Sequence, residues 1–155
     1  MPQRIIEPTI TFYGMVEVDY TRPLAALIVA GGYNYVGPVT NSPACWPHQR
    51  SGKITREAVT VGFGRCMTTA QAEADLKRLG IESWWMADLC TFGAKCPDMQ
   101  RERLVVAVGQ HWLDPDRGRH FGALFRHGSE RYLDLLRRDE SSEWSERCVF
   151  GGFRK

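Results

Sequence analysis

The first third of the chain predicts a strand, a short helix and a long loop. Residues 9–19 are rich in β-branched and aromatic side chains with partial alternation, which is typical of a strand. Pro23 presets φ for a first helical turn, residues 24–30 supply the apolar turns, and Gly31-Gly32 ends them. Residues 33–53 contain several prolines and show no stable period, so we predict a long surface loop there.

The middle of the chain predicts a strand followed by two helices. Residues 56–65 alternate with period two, which indicates a strand. A capping box of Thr68 and Gln71 begins the first helix, and Gly80 is a natural stop. The second helix begins near Ser83 and ends before the next proline. Val59, Val61 and Phe63 share one face of the strand, and Ala72, Leu76 and Leu79 recur at the spacing of one helix face. Trp85, Leu89 and Phe92 share the buried side of the second helix.

The last third predicts a central strand, a hairpin and a closing strand. Residues 104–108 form a continuous apolar run, which indicates a strand buried on both faces. Residues 120–126 and 131–136 form a hairpin around a turn at 127–130. Residues 137–144 are polar and predict a loop. In the second hairpin strand Leu133 and Leu135 face inward, while Tyr132, Asp134 and Leu136 face the other way. The closing strand covers 147–154, with Val149, Phe150 and Phe153 in the core.

Length, composition and charge indicate one ordinary globular domain. The chain has 155 residues, 43% of them hydrophobic and 25% charged, with a formal net charge of +2. Such a balanced charge argues against nucleic acid as a partner. No apolar run approaches the roughly 18 residues that span a bilayer, so no membrane span is expected. The N-terminus lacks a secretory pattern, which predicts synthesis in the cytoplasm.

Metal and cofactor motifs are not found in the sequence. The five cysteines are scattered and never form a C-x-x-C pair, which suits reduced thiols better than disulfides or zinc. Asp114 and Asp116 resemble a fragment of a calcium loop that lacks the remaining oxygen ligands, so a connecting loop is the better interpretation. We therefore predict no cofactor and no metal site.

Two alternatives to a binding protein stay open at this point. A small cytoplasmic enzyme would use the histidines His111, His120 and His127, or a cysteine nucleophile such as Cys90. No catalytic motif accompanies these residues, so we predict no catalytic site. An oligomer-forming structural protein would use an aromatic surface as its interface.

Several segments of residues 59–154 resemble a known family. They include Val59-Thr-Val-Gly-Phe-Gly-Arg65, Ser83-Trp-Trp-Met-Ala-Asp-Leu89, Val105-Val-Ala-Val-Gly109 and the ending Trp144-x-x-x-Cys148-x-Phe150-x-x-Phe153-Arg154. This order is similar to bacterial C-type-lectin-like proteins, and more narrowly to the variable proteins of diversity-generating retroelements. The resemblance implies an α+β fold with two helices packed on a mostly antiparallel sheet. It implies one domain over 1–155, with the lectin-like core in 56–155, and leaves residues 1–55 unexplained.

The resemblance also implies a display surface for ligands in the C-terminal segment. That segment mixes aromatic residues with acidic and basic residues in nearly equal number, a composition typical of protein interfaces. We therefore expect a protein ligand and a non-enzymatic role. The predicted ligand-binding residues are Phe125, Arg126, His127, Tyr132, Asp134, Leu136, Arg137, Arg138, Asp139, Trp144 and Arg147.

Overall fold

The computed structural model describes residues 7–38, 46 and 50–155. The strands are β1 (Thr9–Asp19), β2 (Tyr35–Val36), β3 (Lys53–Gly62), β4 (Met67–Thr68), β5 (Ile81–Ser83), β6 (Val105–Val106), β7 (Trp112–Leu113), β8 (Arg119–His127), β9 (Glu130–Arg137), β10 (Glu143–Trp144) and β11 (Val149–Arg154). The helices are α1 (Leu24–Gly31), α2 (Thr69–Arg78), α3 (Met86–Lys95) and α4 (Met99–Glu102).

A nine-stranded sheet organises the chain, in the order β1-β3-β11-β6-β8-β9-β2. In addition, β5 pairs with β11 and β7 pairs with β8, while β4 and β10 form a separate two-stranded sheet. Only the β6–β11 and β2–β9 pairs are parallel; the other described pairs are antiparallel. The predicted α+β fold with a mostly antiparallel sheet is confirmed at this level.

Each face of the sheet has its own apolar core, because side chains alternate between the faces along every strand. We call them the α1/α3 face and the α2 face after the helices that pack on them. The first core includes Val16, Val18, Ala58, Val105, Leu124, Leu133 and Phe153, with Leu27 of α1 and Leu89 and Phe92 of α3. The second includes Val59, Val61, Val106, Phe121, Ala123 and Phe150, with Ala72 and Leu76 of α2 and Trp144 of β10.

The predicted strands and turns around this core are largely confirmed. β1 matches its predicted range, β8 and β9 differ from theirs by one residue at each end, and Gly128 forms the hairpin turn with a φ of 61°. β11 begins two residues later than predicted, and β3 covers Lys53–Gly62 where residues 56–65 are predicted. Of the apolar run 104–108, only Val105 and Val106 pair in β6, yet they lie in opposite cores, so this strand is central and buried on both faces.

Two of the three predicted helices begin where the sequence indicates: α1 at Leu24, directly after Pro23, and α2 at its capping box. In α2 the Thr68 hydroxyl accepts from Gln71 N and the Gln71 side chain accepts from Thr68 N, which confirms the capping box. In contrast, α3 begins at Met86 and not near Ser83, because Ser83 belongs to β5 and pairs with β11. The Asp88 carboxylate accepts from Trp85 N at this helix start.

Three further predictions are wrong in detail. Trp85 is half-buried, with the Arg50 guanidinium 3.9 Å from its ring centroid, and does not join the core side of α3. Leu79 is 38% exposed, because it lies past the last turn of α2. The predicted loop 33–53 contains β2, which pairs with β9. Of that loop, positions 39–45 and 47–49 lie outside the described residues.

Candidate ligand-binding surface

The β8–β9 hairpin places its odd and even positions on opposite faces of the sheet. Phe121 and Ala123 contribute to the core of the α2 face, so Phe125 and His127, at the same alternation in β8, face the same way. The cross-strand partners Tyr132, Asp134 and Leu136 in β9 therefore share that face with Phe125, Ala123 and Phe121. As predicted, these three β9 residues face the other way from Leu133 and Leu135, and Leu136 packs against the core of the α2 face.

Four aromatic side chains meet at the outer end of this face. The Tyr132 ring stacks on Tyr35 of β2, with centroids 4.8 Å apart and planes inclined by 30°. The same ring contacts Phe125 at 5.6 Å and His127 at 5.7 Å. We call these four residues the aromatic patch. Tyr35 is 41% exposed, His127 is exposed, and the other two rings are half-buried.

The patch stays open because the layer on the α2 face covers only part of the sheet. Trp144 of β10 packs on Phe121, with ring centroids 5.8 Å apart, and buries that part of β8. Farther along the same strands, Phe125 and Leu136 are only half-buried at the border of this layer. Beyond them, the described part of the chain places no helix over the patch.

Two carboxylates flank the rings. Asp134 follows Tyr132 on the same face, is half-buried, and accepts a 2.7 Å hydrogen bond from Leu135 N on Oδ1. Glu130 is opposite His127 at the hairpin end and is exposed. Within the described ranges neither carboxylate forms an ion pair. The open face therefore combines aromatic area with negative charge.

The backbone beneath the patch is fixed from the α1/α3 face. The Gln100 amide of α4, which is 1% exposed, donates to the carbonyls of Phe125 and Tyr132 at 2.9 and 3.1 Å. Its Oε1 accepts from Arg131 Nε at 3.2 Å. Because both bonded carbonyls belong to patch residues, Gln100 holds the two central rings at a defined separation.

Arg131 completes this support and is a structural residue that sequence reasoning missed. Its guanidinium is 7% exposed and donates to Gly31 O at 2.6 Å and to Gly93 O at 2.8 Å, carbonyls of α1 and α3. It also lies 4.8 Å from the Tyr33 ring centroid. Helix carbonyls carry partial negative charge, so they replace the acid that a buried cation ordinarily requires.

Trp144 is wrongly predicted as a ligand-binding residue. Its side chain is 0% exposed, and its Nε1 donates to Thr69 Oγ1 at 2.9 Å. The pairing of β10 with β4 carries it into the core, which also corrects the predicted loop 137–144. Arg138 lies over this ring at 4.5 Å, so it covers the core and does not belong to the aromatic patch.

The remaining charged residues of the predicted site do not join the patch. Arg126 and Arg137 point to the α1/α3 face by alternation, and Arg137 Nε lies 3.4 Å from Asp139 Oδ1. Arg147 lines a separate cavity of about 190 Å³ together with threonines of β1 and β3. The structure therefore brings together Phe125, His127, Tyr132, Asp134 and Leu136, and separates Arg126, Arg137, Arg138, Asp139, Trp144 and Arg147 from them.

Two residues of the open face, one in the aromatic patch and one beside it, are not predicted from the sequence. Tyr35 lies in the predicted loop and reaches the patch through the parallel pairing of β2 with β9, for which a two-residue strand gives no local pattern. Glu130 was assigned to the hairpin turn, yet it already pairs with His127.

The residues of the enzyme alternative do not form one site: the cysteine is in the core, and the histidines lie on or beside β8. Cys90 is fully buried, and burial raises the pKa of its thiol far above the usual range, so it is not an accessible nucleophile. His120 Nε2 lies 2.7 Å from Asp114 Oδ2, and this contact lowers the pKa of the Asp114 carboxyl. Burial lowers the pKa of His111, which packs on Phe121. Among the described side chains, no group of three or more His, Cys, Asp or Glu could hold a metal ion.

Comparisons with known proteins return no relatives. No family model matches the chain, and neither a curated protein nor a solved structure matches it. None of the described helices has the length and apolar character needed to cross a membrane.

Proposed function

We propose that this protein is a non-enzymatic ligand-binding protein of C-type-lectin-like type, whose binding surface is the aromatic patch with Asp134 and Leu136. The order of elements in residues 56–155 supports the scaffold. Two helices, α2 and α3, follow the strand β3, and the chain ends in β11, which pairs antiparallel with β3. This is the order that the sequence resemblance to retroelement variable proteins implies.

The observation that carries the binding role is the continuous contact of four aromatic rings on a part of the sheet over which the described residues place no helix. Aromatic side chains lose little conformational entropy on binding and dominate interface energetics. Here the lost freedom is smaller still, because Tyr132 is already held by three ring neighbours and by Gln100 behind it. A protein segment is the ligand class that fits such a flat, rigid surface best.

A displayed peptide library tests the binding role. Random peptides on phage are selected on the immobilised wild-type protein alone, and each enriched clone is then measured on the patch variant, which we define as Y35T/Y132T/D134N. Threonine keeps the strand propensity at both tyrosine positions. We expect enriched clones to bind the wild type at least about tenfold tighter than the patch variant, the effect of losing an interface hot spot.

Arg126→Gln is the matched control for this selection, because Arg126 is exposed in the same hairpin and points to the other face. The selected clones should bind this variant as tightly as the wild type. Clones that bind the patch variant and the wild type equally would overturn the proposed function.

The retroelement part of the proposal has its own test. Sequencing the DNA that flanks the gene should find a reverse transcriptase gene and a near-copy of the segment encoding residues 110–155. A flanking region with neither feature would overturn the retroelement origin and leave the binding surface to be judged by the selection.

A further inference from the structure

We propose that the ligand segment that the aromatic patch binds is positively charged, with arginine or lysine side chains that lie over the rings and face Asp134 and Glu130. This inference rests on the proposed function and adds the chemical class of the partner. Two observations support it: the charged side chains around the patch are negative, and aromatic rings elsewhere in the molecule are covered by arginine side chains.

The charges that border the patch have one sign. Asp134 and Glu130 lie on the open face. Arg126, Arg131 and Arg137 alternate to the other face, and Arg119, which shares the face of Asp134, lies over Phe121 at the far end of β8. One oxygen of the Asp134 carboxylate accepts from Leu135 N, and among the described residues the carboxylate has no ion pair. A cationic segment is therefore attracted to this surface, whereas an acidic segment is repelled.

Rings elsewhere in the molecule are covered by guanidinium groups. Arg154 lies 5.6 Å from the centroid of the exposed Phe12 ring, Arg138 lies 4.5 Å from Trp144, and Arg50 lies 3.9 Å from Trp85. Among the residues that the structure describes, no arginine or lysine lies over a ring of the aromatic patch.

An external cation would complete the same arrangement at the patch. The faces of tyrosine and phenylalanine rings attract cations, and the attraction increases when the cation is partly removed from water. Tyr35 stacks on Tyr132 and is 41% exposed, and Asp134 follows Tyr132 on the same face, so a guanidinium over the exposed Tyr35 ring is drawn to a ring face and to a carboxylate together.

Three blocked peptides of equal length test the sign of the charge. They alternate glycine with arginine, with glutamine or with glutamate, and each is titrated into the intact protein while the aromatic NMR resonances of tyrosine and histidine are followed. We expect the arginine peptide to bind about tenfold tighter than the glutamine peptide, with the glutamate peptide weakest. Raising the salt from about 0.05 M to about 0.5 M should weaken the arginine peptide most, because salt screens exposed charges.

Charge-neutralising variants locate the interaction. Asp134→Asn and Glu130→Gln should each weaken the arginine peptide about threefold and leave the glutamine peptide unchanged. Glu17→Gln removes the same charge from an exposed position on β1, at the opposite edge of the sheet, and should have no effect. General attraction of a cation to the whole molecule is small, since the formal net charge is +2.

Equal affinity for the arginine and glutamine peptides would overturn the charge assignment, and so would an equal loss in Glu17→Gln. Saturation of the patch by methyl glucoside, without a response to the arginine peptide, would assign a carbohydrate and also overturn it. These failures differ from failure of the proposed function. If library clones need the patch yet carry no excess of basic residues, only the charge assignment is wrong; if no clone needs the patch, the binding role itself is wrong.

Discussion

The two faces of the β8–β9 hairpin differ in how deeply their side chains are buried and in which partners their charged groups have. On the α1/α3 face, Arg131 is buried and donates to helix carbonyls, and Leu124 and Leu133 lie in the core. On the α2 face, Tyr132 contacts three rings and Asp134 has no ion pair among the described residues. On one face of this strand pair the charged side chain has its hydrogen-bond partners inside the protein, and on the other face the charged side chain is left without an ion pair among the described residues. The two faces differ because successive residues of a strand point to opposite sides of the sheet.

The α2 face is itself divided along the hairpin. Phe121 lies under Trp144 and is fully buried, whereas Phe125, at the same alternation, is half-buried. The border falls where the layer formed by α2, β4 and β10 ends. A residue's role in this hairpin thus depends on its face and on its distance from that border.

Trp144→Ala should have the largest effect on stability. The substitution removes a fully buried indole and leaves a cavity against Phe121 and Phe150, which costs about 4 kcal/mol in unfolding free energy. Urea denaturation measures this loss. Arg138→Ala, which removes only the cation above that ring, should cost about 1 kcal/mol or less. A near-wild-type stability for Trp144→Ala would contradict the border between the covered and open parts.

Arg131→Ala should be the next most damaging substitution. It leaves the carbonyls of Gly31 and Gly93 without their buried donor and costs about 3 kcal/mol. Arg131→Lys restores the charge but not the planar fork of donors, so it should recover only part of the loss. The exposed neighbour Arg126→Ala should stay within about 0.5 kcal/mol of wild type in the same urea series. Equal losses of unfolding free energy in Arg126→Ala and Arg131→Ala would contradict the assignment of Arg131 as a buried structural residue and of Arg126 as a surface residue.

Gly122→Ala tests how tightly the α1/α3 face is packed. A Cβ at this position would lie 2.3 Å from Met86 Sδ and 3.1 Å from Leu89 Cδ2, so both side chains must shift. Overpacking of this kind costs about 2 kcal/mol, and thermal unfolding would report it as a lower midpoint. An unchanged midpoint would show that the side chains of α3 can move away from β8 at little cost, which would contradict tight packing on this face.

Tyr132→Thr should lower stability less than the substitutions at positions 144, 131 and 122, by about 1 kcal/mol, because it removes cross-strand ring contacts but leaves no buried cavity. Urea denaturation against Tyr132→Phe, which keeps the ring, separates the contribution of the ring from that of the hydroxyl. A loss as large as that of Trp144→Ala would mean that Tyr132 is a core residue and not a surface one.

The sequence predicts local features of this molecule better than distant ones. The alternation in residues 120–136 is a local pattern, so both strands and their turn are predicted, and the facing predicted for the second strand is correct. Trp144 is misplaced because its burial depends on the pairing of β10 with β4, a segment far earlier in the chain. Arg131 is missed because its acceptors belong to α1 and α3, and a charged residue in a strand is ordinarily exposed. Tyr35 joins the patch only through the parallel pairing of β2 with β9.

The most direct test of the central claim compares one selected ligand across three proteins: the wild type, the patch variant Y35T/Y132T/D134N and Arg126→Gln. Binding affinity and the urea midpoint are measured on each. We predict a loss of affinity of about tenfold or more in the patch variant alone, with all three proteins folded at the start of the titration. Equal affinities of all three proteins for the ligand, or an equal loss in Arg126→Gln, would contradict the assignment of ligand binding to the open face of the hairpin.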